Sequence, residues 1–243
     1  MKLVLLSDIH ANVTAFLAVL NDIQTIGELD TFVILGDLVN YGPRPNEIID
    51  LVQQLPQKTI VNIWGNHEYS IFRGGVDRFA TDRGRNVLQY TKSILTEDSE
   101  RYLDVRMNHQ GCERCHIEGK HFLFIHGNLD DPYWGKFSID KIDYERYAQY
   151  DYVISGHSHI PHYVEHFFPS RNKEYRNMKR TIFINPGSVG QPRNHNPYAQ
   201  YGILDIESEN YEHRSVWYDV EEEQKLFSDN VDSFYKKRLT IGI

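Results

Sequence analysis

A chain of 243 residues, 40% hydrophobic and 25% charged, has the make-up of an ordinary soluble globular protein and enough length for one large domain or two small ones. A formal net charge of -8 argues against a general nucleic-acid binder, because phosphate backbones demand an excess of Lys and Arg. It leaves room for a small phosphorylated substrate if a metal ion supplies the positive charge. Two cysteines cannot build a disulfide framework, the stretch ahead of Asp8 is too short for a signal peptide, and no run approaches a membrane span, so a cytoplasmic protein without a membrane partner is expected.

The first apolar run, Lys2-Leu3-Val4-Leu5-Leu6, reads as a buried strand and ends in Asp8-Ile9-His10. Val13, Phe16, Leu17, Leu20, Ile23 and Ile26 then recur at helical spacing, and Asn12 is placed to cap that helix. Thr31 to Leu35 is a second strand, ending in Gly36-Asp37. Pro45 suits the first position of a second helix carrying Ile48, Ile49, Leu51, Val52 and Leu55, with Pro56 as its stop. Thr59 to Trp64 is a third strand, leading into Gly65-Asn66-His67-Glu68. Strands alternating with helices predict a largely parallel sheet covered on both faces.

From Tyr69 to about Lys120 the pattern changes. One or two helices are predicted over Arg78 to Leu95 and a hairpin around Gly111 over Tyr102 to Ile117, and this stretch is the expected cap or insert of a single domain. His121 to Ile125 and Tyr152 to Ile154 resume the strands, ending in His126-Gly127-Asn128 and Ser155-Gly156-His157-Ser158-His159, with a helical stretch near Ile139 to Tyr150 between them. Tyr163 to Phe168, Thr181 to Ile184, Tyr201 to Ile206 and Tyr211 to Val220 lack crossover helices and are expected to be antiparallel and to form a second sheet. A last helix is predicted over Glu221 to Tyr235. The predicted fold is a mixed α/β sandwich of two packed sheets flanked by helices.

Five strands thus each deliver Asp, Asn or His at their carboxyl ends, where open α/β sheets gather their ligands. Asp8, His10, Asp37, Asn66, His126, His157 and His159 make a mixed oxygen and nitrogen donor set without sulfur, suited to Mn, Fe, Zn or Co, with Mn or Fe foremost. Seven side chains are too many for one ion and suit two, with Asp37 as the natural bridging carboxylate. Two metals clamp a phosphoryl group and lower the pKa of a water held between them, and a histidine that is not a ligand can give the leaving oxygen its proton. A lone histidine at a strand end is usually a polar surface residue; five such patterns in succession are what carry the reading.

The motifs Asp8-x-His10, Gly36-Asp37, Gly65-Asn66-His67-Glu68, His126-Gly127 and Gly156-His157-Ser158-His159 resemble, in order, the five motifs of the calcineurin-like metallophosphoesterases. Gly36-Asp37-Leu38-Val39-Asn40-Tyr41-Gly42-Pro43 and the run from Asn185 to Arg193 resemble a prokaryotic branch containing small phosphodiesterases and relatives of diadenosine tetraphosphatase. The resemblance implies a four-layer sandwich in which Asp8, His10, Asp37 and His159 hold one metal and Asp37, Asn66, His126 and His157 the other. His67 would be the general acid. The implied activity is hydrolysis of a phosphodiester or phosphoanhydride. A phosphomonoesterase or protein phosphatase of the same fold is the alternative, as is a metal-binding scaffold without turnover, which would be expected to lose some of these eight positions.

The Arg that follows the second motif in the protein-phosphatase and tetraphosphatase-type members is absent here, where the chain has Asn40-Tyr41-Gly42. Arg44 and Arg193 are the candidates to hold phosphate in its place, with Asn12 and Asn128 as further candidate contacts. Cys112 and Cys115, with His109 and His116 nearby, admit a structural zinc site, a redox pair or two plain reduced thiols. Tyr41, Tyr69, Phe72, Tyr133 and Trp134 lie near the motif loops and are candidates to stack on a nucleoside. Oligomeric state has no signature in the sequence.

Overall fold

The computed structural model describes residues 1–243 apart from 28, 30, 56, 57, 172, 176 and 177, and the side chain of residue 175. The expected stop at Pro56 lies outside the described residues. In chain order the elements are β1 (Lys2–Leu6), α1 (Val13–Ile26), β2 (Thr31–Ile34), α2 (Pro45–Gln53), β3 (Lys58–Asn62), α3 (Asn66–Phe72), α4 (Asp82–Ile94) and α5 (Glu97–Arg106). Then follow β4 (Cys112–Ile117), β5 (Lys120–Ile125), β6 (Tyr152–Ser155), β7 (His162–Phe167), β8 (Arg180–Asn185), β9 (Ala199–Asp205), β10 (Asn210–Val216), α6 (Val220–Lys225) and α7 (Ser233–Lys237). Among the described residues no helix is long and apolar enough to cross a membrane.

Two mixed five-stranded sheets pack face to face, in the orders β10-β9-β1-β2-β3 and β4-β5-β6-β8-β7. Each has a parallel core, β1-β2-β3 in one and β5-β6-β8 in the other. The period-2 alternation of side chains explains why these strands are continuous apolar runs. Leu3 and Leu5 point between the sheets, where they meet Phe122, Phe124, Tyr152 and Ile154. Val4 and Leu6 point the other way, to Phe16 and Val19 of α1. Phe122 and Phe124 face the sandwich interior while Leu123 and Ile125 face Tyr147 and Phe183 on the outside. A slip of one residue in either strand would exchange the two cores. Asn12 caps α1 as expected, its Oδ1 accepting from Ala15 N at 3.0 Å.

The C-terminal strands do not make a sheet of their own. They pair antiparallel within their hairpins, β7 with β8 and β9 with β10, but β9 joins β1 and β8 runs parallel to β6. The burial of β9 is the reason: nearly every residue from Ala199 to Leu204 is buried, as in an inner strand, while β10 alternates as an edge does. The β6–β8 parallel pairing needs no crossover helix because β7 makes the return. The expected hairpin around Gly111 is instead the α5 helix followed by β4, which turns at Glu118-Gly119 to pair with β5. Near Ile139 to Tyr150 only a 3-10 turn forms, at Tyr144–Tyr147. The last predicted helix is broken into α6 and α7.

Cys112 packs with Leu123 and Ile125 outside the second sheet, whereas Cys115 packs towards the sandwich interior. They sit on opposite faces of β4, which rules out a shared metal or a disulfide between them.

Trp64, fully buried, stacks on Phe72 at 5.3 Å and donates from Nε1 to Leu103 O at 2.7 Å, tying the end of β3 to the helical segment. Trp64→Ala is expected to cost about 3–5 kcal/mol, read as a fall of roughly 10 °C in melting temperature by differential scanning calorimetry.

Candidate active site

The carboxyl ends of the parallel strands of both sheets meet at one edge of the sandwich. To turn side chains inward there, the backbone enters the left-handed region at Asp8 (φ 53°), His10 (49°), Asp37 (53°), His157 (63°) and His159 (57°). Each such residue is strained by about 1 kcal/mol or more, so neighbouring bonds must hold it. Asp8 N donates to Gly36 O and His10 N to Asp37 O. His157 N donates to Asp8 Oδ2 at 3.1 Å. The loop from Asn185 to Arg193 closes the arrangement: Ser188 Oγ and Gly190 N donate to Asp8 O, and Asn185 Nδ2 donates to Gly156 O.

Glu68 locks the Asp37 loop. Its fully buried carboxylate accepts from Asp37 N (2.9 Å), Leu38 N (2.9 Å), Val39 N (3.3 Å) and Gly65 N (2.9 Å). Gly36 and Gly65 permit the contact: a Cβ on Gly36 would lie 2.4 Å from Gly65 N, and one on Gly65 2.1 Å from Asp37 Oδ1. Sequence reasoning quoted Glu68 inside its motif without giving it a task. Its place at the third position of α3, after Gly65, was the available signal.

Three histidines of the cluster have one ring nitrogen occupied by a backbone carbonyl. His10 Nδ1 pairs with Val39 O (3.2 Å), His126 Nδ1 with Leu35 O (2.7 Å) and His159 Nδ1 with Gln191 O (2.6 Å). His10 and His159, kept neutral by burial, so donate from Nδ1 and present their Nε2 lone pairs. The Nε2 atoms of His10 and His159 face each other at 3.2 Å. His126 Nε2 lies 3.1 Å from Asn66 Oδ1 and 3.3 Å from Asp37 Oδ2, and His157 Nδ1 lies 3.0 Å from the same Asn66 oxygen. Asp8 Oδ1 and Asp37 Oδ2 are buried with no hydrogen-bond partner. Two donor groups result, Asp8, His10, Asp37 and His159, and Asp37, His126 and His157, each within 4.8 Å, with Asp37 in both.

Burial raises the Asp8 carboxyl to about 7, and with the like charge of Asp37 it raises Glu68 to about 7. Burial holds His10 and His159 well below their ordinary value and brings His157 to about 3. Burial also opposes charge on His126, but Asp37 beside it prevails and lifts the ring to about 9.

His67 stands next to the cluster, its Nε2 3.8 Å from Asp37 Oδ2. Asn40 Nδ2 meets its Nδ1 at 2.5 Å, and Thr91 Oγ1 donates to Asn40 Oδ1 at 3.0 Å. Burial lowers the His67 pKa to about 4. Above the cluster opens a cavity of about 510 Å³, bounded by Tyr41, His67, Phe79, Trp134, His157 and Arg193 among others.

Of the four candidate phosphate contacts, Arg44, Arg193, Asn12 and Asn128, Arg193 lines this cavity. Arg44 is bound to Glu223 and donates to Thr14 Oγ1. Asn12 caps α1 and donates to Gly190 O. Asn128 shapes its own loop, accepting from Asp130 N and Asp131 N and donating to Lys136 O. Among the aromatic candidates Tyr41 and Trp134 line the cavity, while Tyr69 packs on Tyr133 and Phe72 on Trp64.

Residues 1–209 match the calcineurin-like phosphoesterase superfamily domain. This chain belongs to that superfamily. It is 32% identical to MJ0912 of Methanocaldococcus jannaschii, over 98% of this chain and 96% of that protein. It is 26% identical to the phosphodiesterase YfcE of Escherichia coli, over 84% of this chain and 88% of YfcE. A metallophosphoesterase from Sphaerobacter thermophilus superposes with a TM-score of 0.77 at 26% identity, each chain covered over 100%. The chain is accordingly a calcineurin-like hydrolase of phosphoric esters, of a metal-dependent family. Its residues fit a metal: unpartnered buried carboxylate oxygens and opposed imidazole lone pairs otherwise repel, and a cation among them removes the conflict.

Glu68→Ala in this phosphoesterase leaves four buried N–H groups without an acceptor. A loss of about 3 kcal/mol or more in stability is expected, together with reduced bound metal, measured by thermal melting and elemental analysis. Glu68→Gln keeps the shape but one acceptor oxygen, and is expected to fall between the two.

Proposed function

We propose that this chain hydrolyses a phosphodiester or phosphoanhydride of a small, nucleotide-like substrate at a two-metal site. Asp8, His10, Asp37 and His159 would hold one ion and Asp37, Asn66, His126 and His157 the other. The observation that carries this reading is the pair of donor groups sharing Asp37, with Asp37 Oδ2 buried and unpartnered between them. Mixed oxygen and nitrogen donors favour Mn or Fe. When bound, the ions would bind phosphoryl oxygens and make water a nucleophile at neutral pH.

The chain's own groups do the rest. The positive Arg193, whose Nε is buried without a partner beside the cluster, would grip the phosphoryl oxygens. Asn40, with its oxygen taken by Thr91, donates to His67 Nδ1, so neutral His67 carries its proton on Nε2, facing the cluster. That N–H would donate a hydrogen bond to the leaving oxygen and offset its charge, a task that a ring kept neutral by burial can perform without losing its proton. Residues 69–120 would act as the cap of a single domain, supplying Phe79 to the cavity wall. The reading places the protein in the cytoplasm, with neither nucleic acid nor membrane as partner, which the -8 charge supports.

The test is turnover of bis-p-nitrophenyl phosphate and p-nitrophenyl phosphate by metal-stripped protein with Mn restored. Mn-dependent hydrolysis is expected, with the diester preferred. His67→Ala should lower kcat by about 10²–10⁴-fold with metal content unchanged, whereas Asp37→Asn should lose both activity and metal. Full activity in His67→Ala would overturn the assignment of His67 to the leaving oxygen. Two bound metals without turnover of any phosphoester would favour a metal-binding scaffold.

A further inference from the structure

The position of His67 says which way the leaving group points. A proton donor must stand beside the departing oxygen, so the leaving group lies on the His67 side of the phosphorus. That side has a built wall. Phe79 meets His67 edge-on at 5.1 Å and Trp134 edge-on at 4.9 Å. Arg78 stacks its guanidinium 4.9 Å over the Trp134 ring and is bound to Asp131 Oδ2 at 2.5 Å. Asp131 Oδ1 in turn accepts from Tyr133 N and Trp134 N, so one carboxylate fixes both the loop and the guanidinium. Lys136 completes the wall. It is exposed, lines the same cavity and has no carboxylate partner among the described residues. Two cations and one carboxylate leave this wall with a net positive charge, in a chain whose net charge is -8. Trp134 also stands edge-on to His157 at 6.4 Å, but among the described residues Arg78 and Lys136 make no hydrogen bond or ion pair to any of the donor side chains.

We infer that Arg78 and Lys136, with Trp134 positioning the guanidinium, form a leaving-group subsite that selects a substrate whose leaving group is itself anionic, a second phosphate rather than a neutral alcohol or phenol. The inference rests on the phosphoester hydrolysis proposed above and narrows its substrate to a phosphoanhydride. In the step, a water oxygen bonds to phosphorus and the bridging P–O bond breaks with its electron pair going to the leaving oxygen. That oxygen departs as an anion that accepts a hydrogen bond from His67 Nε2–H, the protons of the attacking water pass to the product phosphates and to solvent, and the products are two phosphate monoesters. Arg78 and Lys136 would face the charge of the departing phosphate.

A matched pair of substrates tests this: bis-p-nitrophenyl phosphate and P1,P2-bis-p-nitrophenyl pyrophosphate, differing by the second phosphate, each assayed with the Mn-loaded full chain. The native protein is expected to favour the pyrophosphate. Lys136→Ala and Arg78→Ala should each lower the ratio of kcat/KM, pyrophosphate over diester, by about five- to tenfold, and Lys136→Glu by more. Raising the salt concentration should lower the native ratio in the same direction. A purely structural role would move both substrates together, and parallel losses, or an unchanged ratio in both alanine variants, would overturn the subsite. Native protein that turns over neither substrate overturns the hydrolase reading and the subsite with it. Turnover of the diester at an unaltered ratio overturns the subsite alone.

Discussion

The structure depends on a set of lone pairs that converge without protons between them. Two imidazole nitrogens, His10 Nε2 and His159 Nε2, stand 3.2 Å apart, and the unpartnered Asp8 Oδ1 and Asp37 Oδ2 point into the same space. Such a cluster is repulsive on its own, and its residues sit in left-handed backbone that adds strain. Everything around it resists relaxation. Backbone carbonyls of Val39, Leu35 and Gln191 hold the rings, Glu68 holds the Asp37 turn, and Ser188 and Gly190 hold Asp8. Preorganisation of this kind moves the cost of assembling the site from the moment of binding to the moment of folding.

The two sheets provide the stiffness. Each contributes parallel strands whose side chains are buried on both faces, so the strand ends cannot shift without disturbing two cores at once. The site is split between the sheets: Asp8, His10, Asp37 and Asn66 follow the first, His126, His157 and His159 the second. The relative placement of the sheets is therefore part of the geometry of the site. The Asn185–Arg193 loop, which leaves β8 of one sheet and leads to β9 of the other, bonds to residues after both β1 and β6 and acts as the clasp between them.

This division explains what could be read from the chain. Local signals were strong: five apolar runs ending in Asp, Asn or His pointed to the residues that the structure gathers at one edge, Asp8, His10, Asp37, Asn66, His126, His157 and His159, and the spacing from Val13 to Ile26 named α1. What escaped were features set by partners distant in sequence. Tyr201 to Ile206 reads as a strand in isolation, but that β9 lies beside β1 depends on Leu3 and Leu204 meeting across the chain. Asn40 reads as a turn residue, and its role appears only once His67 and Thr91, 51 residues away, are brought to it. Arg44 and Asn128 are phosphate candidates in the sequence, but Glu223 engages the first and the backbone of the 128–136 loop the second.

Charge illustrates the same separation between the whole and the local. The chain carries a net charge of -8, yet Arg78, Lys136 and Arg193 all line the cavity over the buried Asp and His cluster. Behind them Arg238, buried against Tyr41, has its pKa lowered to about 10, first by burial and then by the like charge of Arg193. Placing two guanidiniums near one another in a buried setting is unfavourable unless an anion visits them. The stack of Tyr41 on Tyr235 at 4.6 Å, with Arg238 over the Tyr41 ring, holds that cationic side in place beside His10 and His67. A net negative charge repels polyanions at long range, while a local positive field favours a small anion beside buried carboxylates. Discrimination between phosphorylated substrates then falls to the wall opposite, where the cations meet the leaving group rather than the phosphorus.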